Sequence, residues 1–347
     1  MSERAAVLVT GGAGYIGAHC CKALAEAGYL PVCFDNFSTG HRRFVKWGPL
    51  VEGDLADGPA LADAFTRYRP TAVMHLAAAS LVSESVLDPQ KYYATNVAGT
   101  VNLLSAMREV NCARLVFSST GAVYGNAGRD PIQEEAVKLP INPYGASKFM
   151  IERILADFRS AYQLNSVALR YFNASGADPS REVGELREVE THLIPRAMMA
   201  LQGYLEDFAI FGNDYDTPDG TAIRDYIHVT DLAAAHVRSL EVLMQGGAGG
   251  VYNLGTGAGY SVKQVLSAIE AEVGRALRTT QRPRRAGDPP VLVADPAAAR
   301  AALGFAPIRS DLKTIVGSAW AWHQLAHPDK ARGRKIKTNA GLKRDEI

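Results

Sequence analysis

Val7-Leu8-Val9-Thr10-Gly11-Gly12-Ala13-Gly14-Tyr15-Ile16-Gly17 is the stretch that decides the fold. An apolar run of strand length enters a glycine-rich turn and then a helical stretch, Tyr15–Ala27, with Gly28 where a helix C-cap is wanted. The spacing Gly12-x-Gly14-x-x-Gly17 lets the backbone turn tightly and approach a pyrophosphate closely, and the helix N-terminus favours that group's charge. The glycine pattern alone is weak; its place between a strand and a helix makes it a dinucleotide-site signal rather than a bare turn.

The same rhythm continues outward. Strands are expected at Val7–Val9, Leu30–Phe34, Ala72–Leu76, Arg114–Ser118 and Val167–Arg170, and helices at Tyr15–Ala27, Pro89–Val110 and Pro143–Tyr162. Short apolar strands alternating with helices predict an α/β fold with a doubly wound parallel sheet, a Rossmann domain. Beyond Asn173 the rhythm breaks into loops rich in Gly, Pro and Asp, such as 212–220. The expected division is a dinucleotide-binding domain over 1–173 and a smaller mixed α/β substrate domain over 174–327. Part of 222–245 is expected to pack back on the first domain, with a flexible tail over 328–347.

Composition narrows the class. With 347 residues, 37 Lys+Arg against 36 Asp+Glu and a formal net charge of +1, the chain is no strongly basic nucleic-acid binder. The balance is uneven in place: residues 328–347 carry seven basic side chains against three acidic, leaving the body mildly acidic. Four cysteines (Cys20, Cys21, Cys33 and Cys112) form no CxxC pair and no disulfide framework, so neither a metal nor redox chemistry is expected. No apolar run reaches the ~18 residues of a membrane span. A cytoplasmic protein with no nucleic-acid or membrane partner is the expectation.

Asp35 ends the second strand, 18 residues after Gly17, where a carboxylate accepts hydrogen bonds from an adenosine ribose and repels a 2′-phosphate. That favours NAD over NADP, although Arg42 and Arg43 follow closely. Asp54 meets the adenine or caps its own loop, and Leu76–Ser80 pass the cofactor at the next strand's end. Asn96 is equally readable as an active-side contact or as a helix residue bonding backbone.

Asn142-Pro143-Tyr144-Gly145-Ala146-Ser147-Lys148 carries the chemistry. Asn142 is a good N-cap and Pro143 suits the first helical position, so Tyr144 and Lys148 share a face one turn apart. An ammonium near a phenol favours the phenolate; bringing a tyrosine from ~10 towards 7 takes about 4 kcal/mol. A lysine and a positive nicotinamide can supply it. Upstream, Ser118-Ser119-Thr120 ends a strand and offers a hydroxyl to the same substrate oxygen.

At these residues a resemblance enters. Gly11-x-x-Gly14-Tyr15-Ile16-Gly17, Ser118-Ser119-Thr120-x-x-Val123-Tyr124-Gly125 and Tyr144-x-x-x-Lys148 resemble the extended short-chain dehydrogenase/reductase family. Arg170-Tyr171-Phe172-Asn173, the stretches 211–215 and 219–229, and Arg285-x-Gly287-Asp288 narrow it to the family of UDP-glucose 4-epimerases, from about Ala6 to Pro328. The resemblance implies that NAD stays bound on Gly11, Gly14, Tyr15, Ile16, Gly17, Asp35, Asn36, Asp54 and Leu55, then Leu76, Ala77, Ala78, Ser80, Asn96, Ser118 and Phe172, with Tyr144 and Lys148. It implies that Tyr144 takes the sugar 4-hydroxyl proton while hydride leaves C4, and that the 4-keto sugar turns over before hydride returns to its other face. Thr120 would steady the 4-oxygen, and Lys148 would lower the Tyr144 pKa and hold the nicotinamide ribose.

The second domain would then bind the UDP-sugar. Asn173 would meet the diphosphate or sugar, Arg224 and Arg285 the phosphates, Asp288 the uridine ribose, and Ala209, Ile210 and Phe211 the uracil. His192, beside Leu193, stands where many members have asparagine. Gly121 replaces a usual alanine, a change expected to be tolerable, and Leu292 is bulky where size bears on N-acetyl sugars. His75 is read as structural. A 4,6-dehydratase needs an acid just after the Ser/Thr, where Gly121-Ala122 cannot titrate; a UDP-glucuronate decarboxylase is disfavoured for a related reason. A UDP-xylose/UDP-arabinose 4-epimerase stays open, and a nucleotide-sensing protein without chemistry is opposed by the intact Thr120, Tyr144 and Lys148. The resemblance also implies a homodimer through the helices near Pro89–Val110 and Pro143–Tyr162.

Overall fold

The computed structural model describes residues 4–128, 131–205, 207–285 and 288–327; the tail expected at 328–347 lies outside them, as does Gly287. The opening apolar run is β1 (Ala6–Thr10). Val7 and Val9 enter the core on one side, Ala6 and Leu8 on the other, so the run is apolar throughout instead of alternating. Strands β2 (Leu30–Asp35), β3 (Leu50–Glu52), β4 (Ala72–His75), β5 (Arg114–Ser118) and β6 (Asn165–Tyr171) follow. Short strands β7 (Asn173–Ser175), β8 (Ala209–Phe211), β9 (Ile223–Arg224) and β10 (Tyr226–His228) come next, and β11 (Gly250–Leu254) rejoins the main sheet. Its order is β11-β6-β5-β4-β1-β2-β3, with every pair parallel. This is the expected doubly wound sheet, and its order reverses between β1 and β4, where such sheets bind ligands at their carboxyl edge.

Helices α1 (Tyr15–Glu26), α2 (Gly58–Tyr68) and α3 (Val82–Leu87) precede a long helical run. That run was expected as one helix; it is α4 (Pro89–Tyr92), a wider π turn (Tyr93–Ala98) and α5 (Gly99–Glu109). The π turn carries Asn96, a common use of such local widening at functional sites. Helix α6 (Pro143–Tyr162) starts where Asn142 Oδ1 accepts the Gly145 N–H at 2.8 Å. It buries Lys148, Ile151, Glu152 and Leu155, the i, i+3, i+4, i+7 face of an amphipathic helix.

Helices α7 (Leu193–Leu201) and α8 (Val229–Met244) follow, then β12 (Tyr260–Ser261), α9 (Val262–Val273), β13 (Thr280–Arg282), β14 (Val291–Leu292), α10 (Ala297–Leu303) and α11 (Leu312–Ala326). Helices α7, α9 and α11 enclose a separate core around Met198, Ile269 and Ile315. The fold-back is longer than the expected 222–245. Leu232 and Leu240 of α8 pack with Cys20 and Leu24 of α1, and β11 pairs with β6, Tyr252 opposite Leu169. The sheet therefore takes in residues up to Leu254, because β11 finds its register on a strand distant in sequence, which no local pattern records.

Candidate active site

The glycine turn is shaped as a cradle. Gly11 has φ +71°, and a Cβ there would stand 2.7 Å from the Ala77 amide nitrogen; one at Gly17 would collide with the Gly11 carbonyl oxygen. Helix α1 begins at Gly14 with no side-chain cap and no acid in its first turn, which leaves its amides facing outward for an anion. Asp35 holds the turn itself: its carboxylate accepts the Ala13 N–H at 2.9 Å and the Phe37 N–H at 2.8 Å. Burial pushes the Asp35 pKa up against the pull of those two amides. Asn36 donates to Asp54 at 2.6 Å, next along the same edge. The Leu55 side chain packs in the core, Leu76, Ala77 and Ala78 leave β4 half-buried, and Ser80 is exposed. Tyr15 donates its hydroxyl to the Gly176 carbonyl at 2.6 Å, and Ile16 packs on the core. These residues fit a dinucleotide pyrophosphate and ribose.

Asn96 is the residue for which two readings stood open. Its Oδ1 accepts the Ala79 N–H at 2.8 Å, and its Nδ2 donates to the Ala79 carbonyl and to Ser147 Oγ, both at 3.0 Å. The carboxamide ties the loop after β4 to helix α6. His75 is structural in geometry: Thr10 and Thr100 hydrogen-bond its two nitrogens, and burial lowers its pKa to about 3.

Thr120 lies two residues past β5 and is buried, its Oγ1 accepting the Ala122 N–H at 3.1 Å, and its side chain works to lower the pKa of Tyr144. Lys148 is fully buried and donates to the Ser118 carbonyl at 2.9 Å. Burial lowers Lys148 to about 7, with Glu152 pulling the other way. Burial raises the Tyr144 pKa, and the groups that oppose it are Thr120 and Arg187. The Ser118 hydroxyl points to His236 Nε2 at 2.8 Å, so α8 anchors the end of β5. A Cβ at Gly121 would lie 2.6 Å from the Phe172 ring, so glycine lets that ring pack against the backbone here.

The substrate-side residues fall into two groups. Phe211 lies under Arg285 at 4.2 Å, and Ala209–Phe211 pair with Thr280–Arg282. Arg224 is ion-paired with Asp288, whose other oxygen accepts from Tyr215 at 3.4 Å. Asn173 starts β7 beside Tyr226, and Leu193 opens α7. His192 turns its Nδ1 to Glu185 at 2.6 Å, which raises its pKa.

Two features were not visible in the sequence. One is a buried ladder behind the site. Ser119 donates to Glu152 at 2.5 Å, Arg170 pairs with Glu152 at 2.9 and 2.6 Å, and Arg170 also reaches Tyr124 at 2.6 Å. The other is the cluster Glu185, Arg187, Glu190 and His192, which no spacing rule would select. Its carboxylates and imidazole converge, but Arg187 and His192 already occupy Glu185, which makes it an ion-pair cluster.

An α/β sheet with a phosphate cradle on its carboxyl edge and a Tyr–Thr–Lys set beside it defines a dinucleotide-dependent enzyme. Residues 7–255 match the model of the NAD dependent epimerase/dehydratase family, and the chain belongs to that family. It is 50% identical over 317 residues to the UDP-glucose 4-epimerase of Rhizobium leguminosarum bv. trifolii, spanning 91% of this chain and 97% of that one. The structure of UDP-glucose 4-epimerase from Brucella ovis in complex with NAD superposes with a TM-score of 0.90 at 52% identity, over 91% of this chain and 98% of that one. The Stenotrophomonas maltophilia UDP-glucose 4-epimerase with bound NAD and formylated UDP-arabinopyranose gives 0.90 at 37% identity, over 94% and 99%.

Proposed function

We propose that the chain interconverts UDP-glucose and UDP-galactose by transient oxidation at sugar C4. The observation that carries this reading is the set of Thr120, just past β5, with Tyr144 and Lys148 at the start of α6, Lys148 bonded to Ser118 at the end of β5, on the carboxyl edge that also bears the glycine cradle. NAD, which the glycine cradle and Asp35 would hold, would supply the hydride acceptor and donor for sugar C4. Tyr144 takes the 4-hydroxyl proton and gives it back, acting as general base and then general acid. Thr120 orients the phenol and the 4-oxygen, and Lys148 fixes the end of β5 through Ser118. Arg224, Arg285, Asp288 and the strand Ala209–Phe211 tether the nucleotide, so that the 4-keto sugar turns over without leaving. Gly121-Ala122 offer no titrating group after Thr120, which speaks against a dehydratase.

The test is incubation of the purified protein with UDP-galactose and no added NAD. UDP-glucose forms, and Tyr144→Phe loses nearly all turnover; a fully active Phe variant would remove Tyr144 from its role. A pentose reading, UDP-xylose/UDP-arabinose, is kept because the Stenotrophomonas relative holds a formylated UDP-arabinopyranose. Comparing the rates of the two UDP-sugars decides between them.

A homodimer through the helical run from Pro89 and through α6 is supported by Tyr93, Val101, Met150 and Tyr162, which stand exposed there. Sedimentation of the purified protein tests it. Among the described residues no helix is long and apolar enough to cross a membrane, and the four cysteines are free and buried. Both fit a cytoplasmic location.

A further inference from the structure

Arg42 and Arg43 follow the carboxylate of β2 closely in sequence, and the structure gives them different surroundings. The loop after β2 carries His41, Arg42, Arg43 and Lys46, and three of these are engaged elsewhere. His41 hydrogen-bonds the Leu186 carbonyl at 3.0 Å, and Lys46 donates to the Glu182 carbonyl at 3.0 Å. Arg43 lies over the rings of Phe44 and Trp322, at 5.4 and 5.5 Å. Arg42 turns back to the strand ends. Its guanidinium lies 4.4 Å from the centre of the Phe37 ring, and its Nη2 meets Glu52 Oε2 at 2.5 Å.

Phe37 and Glu52 are each tied to Asp35. The Phe37 amide donates to Asp35 Oδ1 at 2.8 Å, and Glu52 is the register partner of Asp35 across the parallel pair β2 and β3. Arg42, Glu52 and Asp35 thus form one group at the carboxyl end of β2, where a sheet of this kind holds the adenosine ribose. Asp35 is committed to the turn. It is buried, its oxygens accept the Ala13 and Phe37 amides, and Gly40 folds over it so closely that a Cβ there would stand 2.8 Å from its Oδ1. The ion pair is open instead, with the Arg42 and Glu52 side chains 63% and 55% exposed.

We propose that Glu52 is a cofactor-specificity residue: by pairing with Arg42 it withholds a guanidinium from a 2′-phosphate and so favours NAD over NADP. A guanidinium beside the ribose is what a 2′-phosphate needs, because its fork makes two charge-assisted bonds to phosphate oxygens. Glu52 acts in two ways. It occupies that fork, and it sets a second carboxylate next to Asp35, which repels a phosphate dianion. The ribose of NAD carries a neutral hydroxyl at this place and is little affected by either charge. With Glu52 removed, the Phe37 ring still holds the guanidinium at the strand ends by a cation–π contact. The proposal needs NAD as the cofactor and is independent of which sugar is turned over.

The test is a competition for the cofactor site, read without catalysis. Purified protein is exchanged against an equimolar mixture of NADP and isotopically labelled NAD and gel-filtered, and the nucleotides released by acid are quantified. Where resident NAD does not exchange, the protein is unfolded in urea and refolded in the same mixture. Wild type takes up labelled NAD with little NADP. Glu52→Gln raises the NADP-to-NAD ratio about fivefold to tenfold, and adding Arg42→Met returns it to near the wild-type value. Glu52→Ala moves the ratio the same way as Glu52→Gln, and the gain shrinks in high salt, as an exposed ionic contact should. An unchanged ratio in both Glu52 variants overturns the proposal. So does a gain that survives Arg42→Met, which would make Glu52 a source of repulsion and leave Arg42 without a part.

Discussion

Lys148 donates to the carbonyl oxygen of Ser118 at 2.9 Å, which joins the second turn of α6 to the end of β5, two residues before Thr120. The bond gives a buried ammonium one backbone acceptor, and burial lowers its pKa from 10.5 to about 7. The unfolded chain therefore holds a proton that the folded chain has lost between about pH 7 and 10.5. Stability from this group rises with pH across that window, since the state with more bound protons is the unfolded one. Lys148→Met abolishes this slope. Melting temperatures of wild type and variant measured from neutral to alkaline pH should diverge steadily, and a constant difference would refute the assignment.

The pair beneath it makes a second prediction. Arg170 and Glu152 are both almost wholly buried, with side chains 3% and 5% exposed. Removing one partner strands the other charge, so Arg170→Met costs about 3–5 kcal/mol in denaturant unfolding. Glu152→Leu combined with Arg170→Met recovers much of that loss. Ser119 loses its acceptor in the double variant, so kcat falls even where stability returns.

Gly121 and Phe172 constrain each other. A methyl at position 121 would stand 2.6 to 2.7 Å from three atoms of the Phe172 ring, so the ring must swing aside. Gly121→Ala is expected to retain less NAD after gel filtration and to turn over several-fold more slowly. Alanine at 121 with unchanged NAD content would show that the ring moves freely.

Leu292 packs half-buried against the cluster built on Val123, Tyr124 and Ile132, as Phe172 does. Its bulk predicts that plain hexoses are preferred over N-acetylhexosamines by roughly tenfold or more, the usual discrimination of one apolar group in a pocket. Leu292→Ala should raise the relative rate with UDP-N-acetylglucosamine. Equal turnover of both sugars by the wild type would remove Leu292 as a determinant.

What the sequence disclosed was what local rules encode. β1 and its glycine turn are contiguous, and Asn142 with Pro143 announces α6 because cap and first-turn chemistry are properties of neighbours. A shared helical face for Tyr144 and Lys148 follows from i, i+4 geometry, yet the spacing cannot say which acceptor the lysine finds. Ser118, 30 residues away, supplies it. β11 stayed hidden because its partner β6 lies some 80 residues earlier in the chain. The cluster of Glu185, Arg187 and His192 stayed hidden because it forms only after the segment before α7 is pinned by Trp322 and His41.

Arg224 and Asp288 were expected to grip different parts of the nucleotide, phosphate and ribose, yet they are paired with each other, with side chains 13% and 32% exposed. Arg224 is mostly buried and Asp288 partly so, and a diphosphate that makes charge-assisted bonds to Arg224 takes the place of Asp288. The lost bond in Arg224→Met is worth about 1.5–3 kcal/mol, which raises KM or the Kd for UDP roughly tenfold to a hundredfold. kcat should change less than KM, because the bond is made to the nucleotide and not to the reacting atoms. Asp288→Asn loses a ribose contact but frees Arg224, so its KM should rise less. Steady-state kinetics and UDP calorimetry on both variants give the ordering, and an unchanged KM in Arg224→Met would take this arginine out of the nucleotide site.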